Sequence, residues 1–69
     1  MTDRVLFSDG DHEILERRGL FGRRLFLRYD TGDLAGAIRT DRISREEAAR
    51  VRAGESAGVV LGLKRRLGW

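Results

Sequence analysis
The chain has no cysteine, a single histidine and a single lysine in 69 residues. Without cysteine it can form neither a disulfide nor a thiolate metal site. His12 by itself cannot build a metal centre unless several carboxylates converge on it. It stands between Asp11 and Glu13 as a turn-flanking trio, and nothing in the pattern places a nucleophile against it. No run approaches the ~18 apolar residues of a membrane span, and the first residues lack the charged-then-apolar layout of a signal peptide. These absences predict a non-enzymatic protein with no cofactor, no metal, no small-molecule substrate and no membrane partner. The cytoplasm is the expected compartment.

A chain of this length makes one small domain and buries only about 60% of its unfolded surface. Domains of this size commonly gain further burial from disulfides, a metal or a partner. With the first two excluded, a partner protein or a second copy is the expected source.

Arginine is what the sequence has in abundance. It supplies 13 of the 14 basic residues, against 11 acidic ones, for a net charge of +3. Arginine suits bidentate contacts and stacks on aromatic rings, although a GC-rich genome produces the same excess. The excess charge is mild for a nucleic-acid coat, but it is arranged in blocks. Residues 1–16 carry −4 and residues 17–28 carry +5, with five arginines and no acid.

The clearest strand is Arg23-Arg24-Leu25-Phe26-Leu27-Arg28-Tyr29. Leu25, Leu27 and Tyr29 alternate with Arg24, Phe26 and Arg28, and a period of two sorts them onto opposite sheet faces. Upstream, Arg4 to Ser8 reads as a strand, and Asp9-Gly10 is a strong signal for a two-residue hairpin loop of type I′. That loop would place Phe7 opposite His12, Leu6 opposite Glu13 and Val5 opposite Ile14. A four-residue loop at Gly19-Leu20-Phe21-Gly22 would pair Arg18 with Arg23, Leu15 with Phe26, Ile14 with Leu27 and Glu13 with Arg28. Val5, Phe7, Ile14, Leu25, Leu27 and Tyr29 then share a core face, with Glu16 as a misfit near its end. Arg4, Leu6, Glu13, Leu15, Arg17, Arg24, Phe26 and Arg28 share the other face. Leu20 and Phe21 at the tip either fold back onto the core or insert into a partner.

Asp30-Thr31-Gly32-Asp33 is a turn by composition. Asp-Thr-Gly also occurs in aspartic-protease loops, but that chemistry needs two facing carboxylates, and the turn accounts for these residues. Leu34 to Ile38 suits a short helix, with a fourth strand as the alternative. Ser44-Arg45-Glu46-Glu47 is a capping box, and Gly54 stands at the expected C-terminal position. This predicts a helix over 44–53 with a thin apolar stripe of Ile43, Ala48 and Val51. Residues 56–67 suit a helix capped by Ser56, with Gly58 and Gly62 allowing close packing. Val59, Leu61 and Leu63 also alternate as a strand would. Trp69 caps the core or offers a contact to a partner. A helix-turn-helix reading of 43–48 fails on spacing, because Arg39 or Thr40 stands where the turn wants glycine.

The expected fold is α+β: a three-stranded antiparallel meander (about 4–8, 12–18, 23–29) followed by short helices (about 33–39, 44–53, 56–67), the last possibly a strand. The expected function is a small regulatory or assembly module. Leu6, Leu15 and Phe26, rimmed by Arg4, Arg17, Arg24 and Arg28, would meet a partner protein or a second copy, since interfaces favour arginine and aromatics around an apolar centre. Nucleic acid is the second candidate, bound by Arg17, Arg24, Phe26 and Arg28 together with Lys64, Arg65 and Arg66. Glu13 within that face counts against it.

Overall fold
Gly10 sets the first reversal of the chain. In the computed structural model, which describes residues 3–20, 22–32 and 37–68, β1 (Asp3–Asp9) and β2 (His12–Gly19) pair antiparallel around Gly10-Asp11, with Asp9 opposite His12. Gly10 has φ +58°, and no described residue other than glycine has positive φ. This is the sign pattern of a type II′ turn. The expected type I′ turn at Asp9-Gly10 would have required positive φ at an aspartate. The loop therefore lies one residue later than predicted, and Phe7 faces Ile14 while Ser8 faces Glu13.

A bulge between Val5 and Phe7 then shifts the register, so that Val5 faces Leu15, Arg4 faces Glu16 and Asp3 faces Arg17. An extra residue in one strand breaks its two-residue alternation. Leu6 and Phe7 consequently both pack against the core. Val5, predicted to be inside, lies on the opposite face and is 49% exposed. Arg4 and Leu6 leave the face assigned to them from the sequence.

The second hairpin has the predicted register. β3 (Gly22–Asp30) pairs with β2 through Arg18–Arg23, Leu15–Phe26, Ile14–Leu27 and Glu13–Arg28. Pairing continues to Gly19 opposite Gly22, so the loop has two residues rather than four. Leu20 does not fold back, being 98% exposed. Phe21 lies outside the described residues.

After β3 the side chain of Asp30 accepts the Gly32 N–H at 2.9 Å, and Gly32 adopts φ +76°. The N–H and hydroxyl of Thr31 both donate to the Ala37 carbonyl, at 3.0 and 3.2 Å. The expected helix over 33–39 is corrected in its described part: Ile38 begins β4 (Ile38–Ile43), which pairs with β3 from Asp30–Ile38 to Leu25–Ile43. Residues 33–36 lie outside the described residues. The result is a four-stranded antiparallel sheet of order β1-β2-β3-β4, followed by two helices, an α+β arrangement.

Helix α1 (Arg45–Arg52) begins at the predicted capping box. The Ser44 hydroxyl accepts the Glu47 N–H at 3.1 Å, and the Glu47 carboxylate accepts the Ser44 N–H at 2.9 Å. Ser44→Ala is expected to cost about 1 kcal/mol, read as a lower urea midpoint at unchanged slope. Gly54, at φ +88°, ends the helix turn. Residues 56–67 are the helix α2 (Ser56–Leu67), not a strand. Its N-cap is Glu55, without a side-chain cap, so Ser56 is the first helical residue and not the cap. A Cβ on Gly58 would come within 3.0 Å of Arg50 Nη2 from α1, whereas one on Gly62 would meet nothing within 4 Å. Only Gly58 makes the close approach expected of both. Trp69 lies outside the described residues.

Ile14, Leu27, Tyr29 and Ile43 from the sheet meet Ala48 and Val51 of α1 and Val59 and Leu63 of α2 in one buried cluster. Both helices thus cover the same sheet face. Tyr29 is fully buried, and its hydroxyl donates to Asp41 Oδ2 at 2.6 Å, an acceptor shared with Arg39 Nε at 3.1 Å. Burial and the adjacent Asp41 carboxylate raise the phenol's pKa above its usual value, so Tyr29 remains a hydrogen-bond donor. Glu16, the predicted misfit, is 4% exposed on this face and pairs with Arg18 Nε and Arg23 Nη1, both at 3.2 Å.

Candidate interaction face
The sheet face away from the helices is built from alternate residues of β2, β3 and β4 and, on the two sides of its bulge, from Asp3, Val5 and Ser8 of β1. Register aligns Val5, Leu15, Phe26 and Arg42 across its middle. One flanking row is Asp3, Arg17 and Arg24, and the other is Ser8, Glu13, Arg28 and Thr40. Beyond these, Ile38 lies opposite Asp30 near the β4 edge and is 61% exposed. The apolar row is continuous because β2 and β3 alternate strictly and the β1 bulge turns Val5 outward.

Leu15 is buried although it stands outside the helix-covered cluster. Phe26 beside it is half-buried, and the Arg17 guanidinium lies over its ring at 4.9 Å from the centroid. A guanidinium over an aromatic face is attracted by the ring quadrupole and shields it from water. Arg17 also donates Nε and Nη2 to the two carboxylate oxygens of Asp3, at 2.8 and 3.1 Å. The hydrogen bond from Arg17 holds the Asp3 carboxyl below its ordinary pKa, and Asp3 in turn raises that of Arg17. Arg28 pairs with Glu13 through Nε at 2.8 Å and also through Nη2. Arg24 and Arg42 have no ion pair or side-chain hydrogen bond among the described residues. The face therefore has an apolar centre, two internally neutralised arginines and two uncompensated ones.

Of the residues singled out from the sequence, the structure brings Arg17, Arg24, Phe26 and Arg28 onto this one face. It separates them from Lys64, Arg65 and Arg66, which lie in the last turns of α2 in the helical layer. Arg66 is engaged there, with Nη2 donating to the Arg42 carbonyl at 3.1 Å and Nη1 3.5 Å from Glu47 Oε1. Val5, Ile38 and Arg42 were missed. The bulge hid Val5, and Ile38 and Arg42 lie on a fourth strand that the sequence offered only as the alternative to a helix at residues 34–38. A shallow cleft of about 320 Å³ opens at the end of the sheet, lined among others by Glu16, Arg23, Arg24, Arg42 and Arg45. Among the described residues no group of three or more histidine and acidic side chains is placed to hold a metal, and no helix is long and apolar enough to cross a membrane. No family model, curated protein or solved structure matches the chain.

Proposed function
We propose that the chain is a small non-enzymatic interaction module, regulatory or structural in an assembly, that receives a partner protein or a second copy on the helix-free sheet face. The observation that carries this reading is the continuous row Val5–Leu15–Phe26 on a face that the chain's own helices leave open, with Arg24 and Arg42 uncompensated beside it. Interface centres favour aromatic and arginine anchors surrounded by contacts that exclude water. The two neutralised pairs, Asp3–Arg17 and Glu13–Arg28, form a rim that limits electrostatic repulsion during docking. The excess from Arg24 and Arg42 favours a partner whose own rim is acidic.

Nucleic acid spread over this same face is the weaker reading. Two of its four arginines already face carboxylates, and the basic residues Lys64, Arg65 and Arg66 are not on it.

The reading is tested with Phe26→Asp. The charge would sit in the middle of the apolar row, on the side of the sheet away from the helix-packed core, and the circular dichroism spectrum checks that the fold survives. Sedimentation velocity over a wide concentration range reports self-association. A photo-crosslinker in place of Val5 or Ile38, used in the producing cells, reports another partner. Loss of the dimer or of the crosslinked product in folded Phe26→Asp is the expected result. A wild-type protein that is monomeric throughout and gives no discrete crosslink from either position would refute the interaction reading.

A further inference from the structure
β4 is an open edge of the sheet, with only β3 paired to it among the described residues. That pairing runs from Ile38 to Ile43 without a bulge, and the strand contains no proline. Edges are commonly blunted by such devices, and β1, the other edge, carries one in the bulge after Val5. Along an antiparallel strand, residues alternate between bonding their neighbour and turning their N–H and C=O groups the other way. Thr31 donates its N–H to the Ala37 carbonyl, which sets Arg39, Asp41 and Ile43 as the residues that bond β3. Ile38, Thr40 and Arg42 therefore turn their backbone groups outward. The Arg42 carbonyl agrees with this, because it accepts Arg66 Nη2 from α2 at 3.1 Å. It keeps a second lone pair.

The charges on β4 select the strand that can join it. Arg39 and Asp41 lie on the helix-covered side of the sheet, one on each side of Thr40, and pair with each other at 3.1 Å. Residues directly opposite in a sheet share a face, so a slip of one residue is excluded and only slips of two keep the faces matched. We propose that a second copy of this chain adds to the β4 edge, antiparallel and about a two-fold axis at Thr40, so that the two sheets become one. In that register each Arg39 faces the second copy's Asp41, and each Ile38 faces the second copy's Arg42. A slip of two residues one way sets Arg39 against Arg39, and the other way sets Asp41 against Asp41. Opposed like charges weaken a strand pair and opposite ones support it. The favoured register also puts Arg39 and Asp41 at non-hydrogen-bonded positions, where side chains approach most closely. A groove of about 440 Å³ beside the edge, lined by Asp41, Glu47, Arg66 and Leu67 among others, is open to the incoming Arg39. Ile38, 61% exposed, is covered by the aliphatic stem of the facing arginine. A two-fold interface must be self-complementary, and this strand is. The edge is a different surface from the open face, and pairing there leaves Val5, Leu15 and Phe26 uncovered.

Because the chain has no cysteine, single-cysteine variants report the register directly. In the proposed pairing the two Thr40 Cα atoms stand about 5.5 Å apart, within disulfide reach. Thr40→Cys should therefore give a disulfide-linked dimer under mild oxidation. Ile38→Cys should not, because its own counterpart lies four residues, or roughly 13 Å, along the strand. Sedimentation velocity over a wide concentration range should show a reversible dimer of the wild type. Thr40→Pro removes an N–H that β3 does not use, which an edge strand tolerates, and circular dichroism checks that the fold survives. It should weaken the dimer roughly tenfold or more, since both donors on the axis are lost. Phe26→Asp should leave the Thr40→Cys crosslink unchanged, which separates the edge from the open face. A wild type that is monomeric at every concentration would overturn the proposal. So would a dimer that forms equally well with folded Thr40→Pro, a crosslink as rapid from Ile38→Cys as from Thr40→Cys, or a Thr40→Cys crosslink that Phe26→Asp abolishes.

Discussion

Leu63→Ala is expected to remove about 2–5 kcal/mol of stability and to leave a substantial unfolded fraction at room temperature. The total for a chain of this length is only about 3–10 kcal/mol, so one core truncation is a large share of it. Leu63 is fully buried, and with Val59 it makes the buried stripe of α2 that meets Ile14, Leu27 and Tyr29 of the sheet. The two residues are four apart and share one side of the helix. Leu61 lies between them in sequence, on a different side, and is 50% exposed. Leu61→Ala is therefore the control, with an expected cost below about 1 kcal/mol. Urea titrations followed by circular dichroism measure both. Equal losses for the two variants would mean that α2 does not dock through the side described.

The second large effect is expected at Asp41. Asp41→Ala removes the acceptor of the fully buried Tyr29 hydroxyl and a partner of Arg39. Leaving a buried donor unsatisfied costs about 1–3 kcal/mol. Tyr29→Phe in the Asp41→Ala background should restore part of that loss, because removing both partners is less costly than removing one. Purely additive losses in the cycle would show that the hydrogen bond carries no coupling.

The same network makes stability depend on pH. Burial acts to raise the Asp41 pKa, but hydrogen bonds from Arg39 and Tyr29 outweigh it and the net shift is downward. Glu47 behaves likewise, with burial opposed by its hydrogen bond from the Ser44 backbone and by Arg66. A carboxyl whose folded pKa is depressed binds fewer protons in the folded state than in the unfolded state. Its contribution is complete above about pH 5 and is lost as the pH falls through the depressed values. The urea midpoint of the wild type should therefore fall between pH 5 and pH 3. Asp41→Asn should show a shallower fall over that interval, and an identical pH profile would remove Asp41 from this account.

The pattern that places the interaction face was readable where alternation is strict. In β2 and β3 the residues Ile14, Leu25, Leu27 and Tyr29 went to one side and Leu15, Phe26, Arg17, Arg24 and Arg28 to the other, in the register that the glycine-bounded loop implied. The capping box at Ser44 and the glycine at 54 marked α1 for the same reason: caps depend on neighbouring residues only. The fourth strand gave no such signal. Its core-side positions are Arg39, Asp41 and Ile43, and two of these are polar because they serve the Tyr29 hydroxyl. An inward-facing charge pair looks like a solvated segment until its buried partner on another strand is in view.

β1 failed for a different reason. A bulge adds one residue without any local requirement for glycine, and one added residue exchanges the faces of everything before it. Val5 and Leu6 are both apolar, so composition cannot say which of them turns outward. The sequence by itself determined the α+β class, the central hairpin and its faces, and helix α1, because each follows from periodicity or from caps within a few residues, whereas residues 56–67 suited a helix or a strand. Only the tertiary structure decided the outward turn of Val5, the addition of Ile38 and Arg42 to the open face, and the separation of Lys64, Arg65 and Arg66 from it. Each of these depends on which distant strand lies alongside and where its pairing stops, and strand pairing joins residues that no local pattern connects.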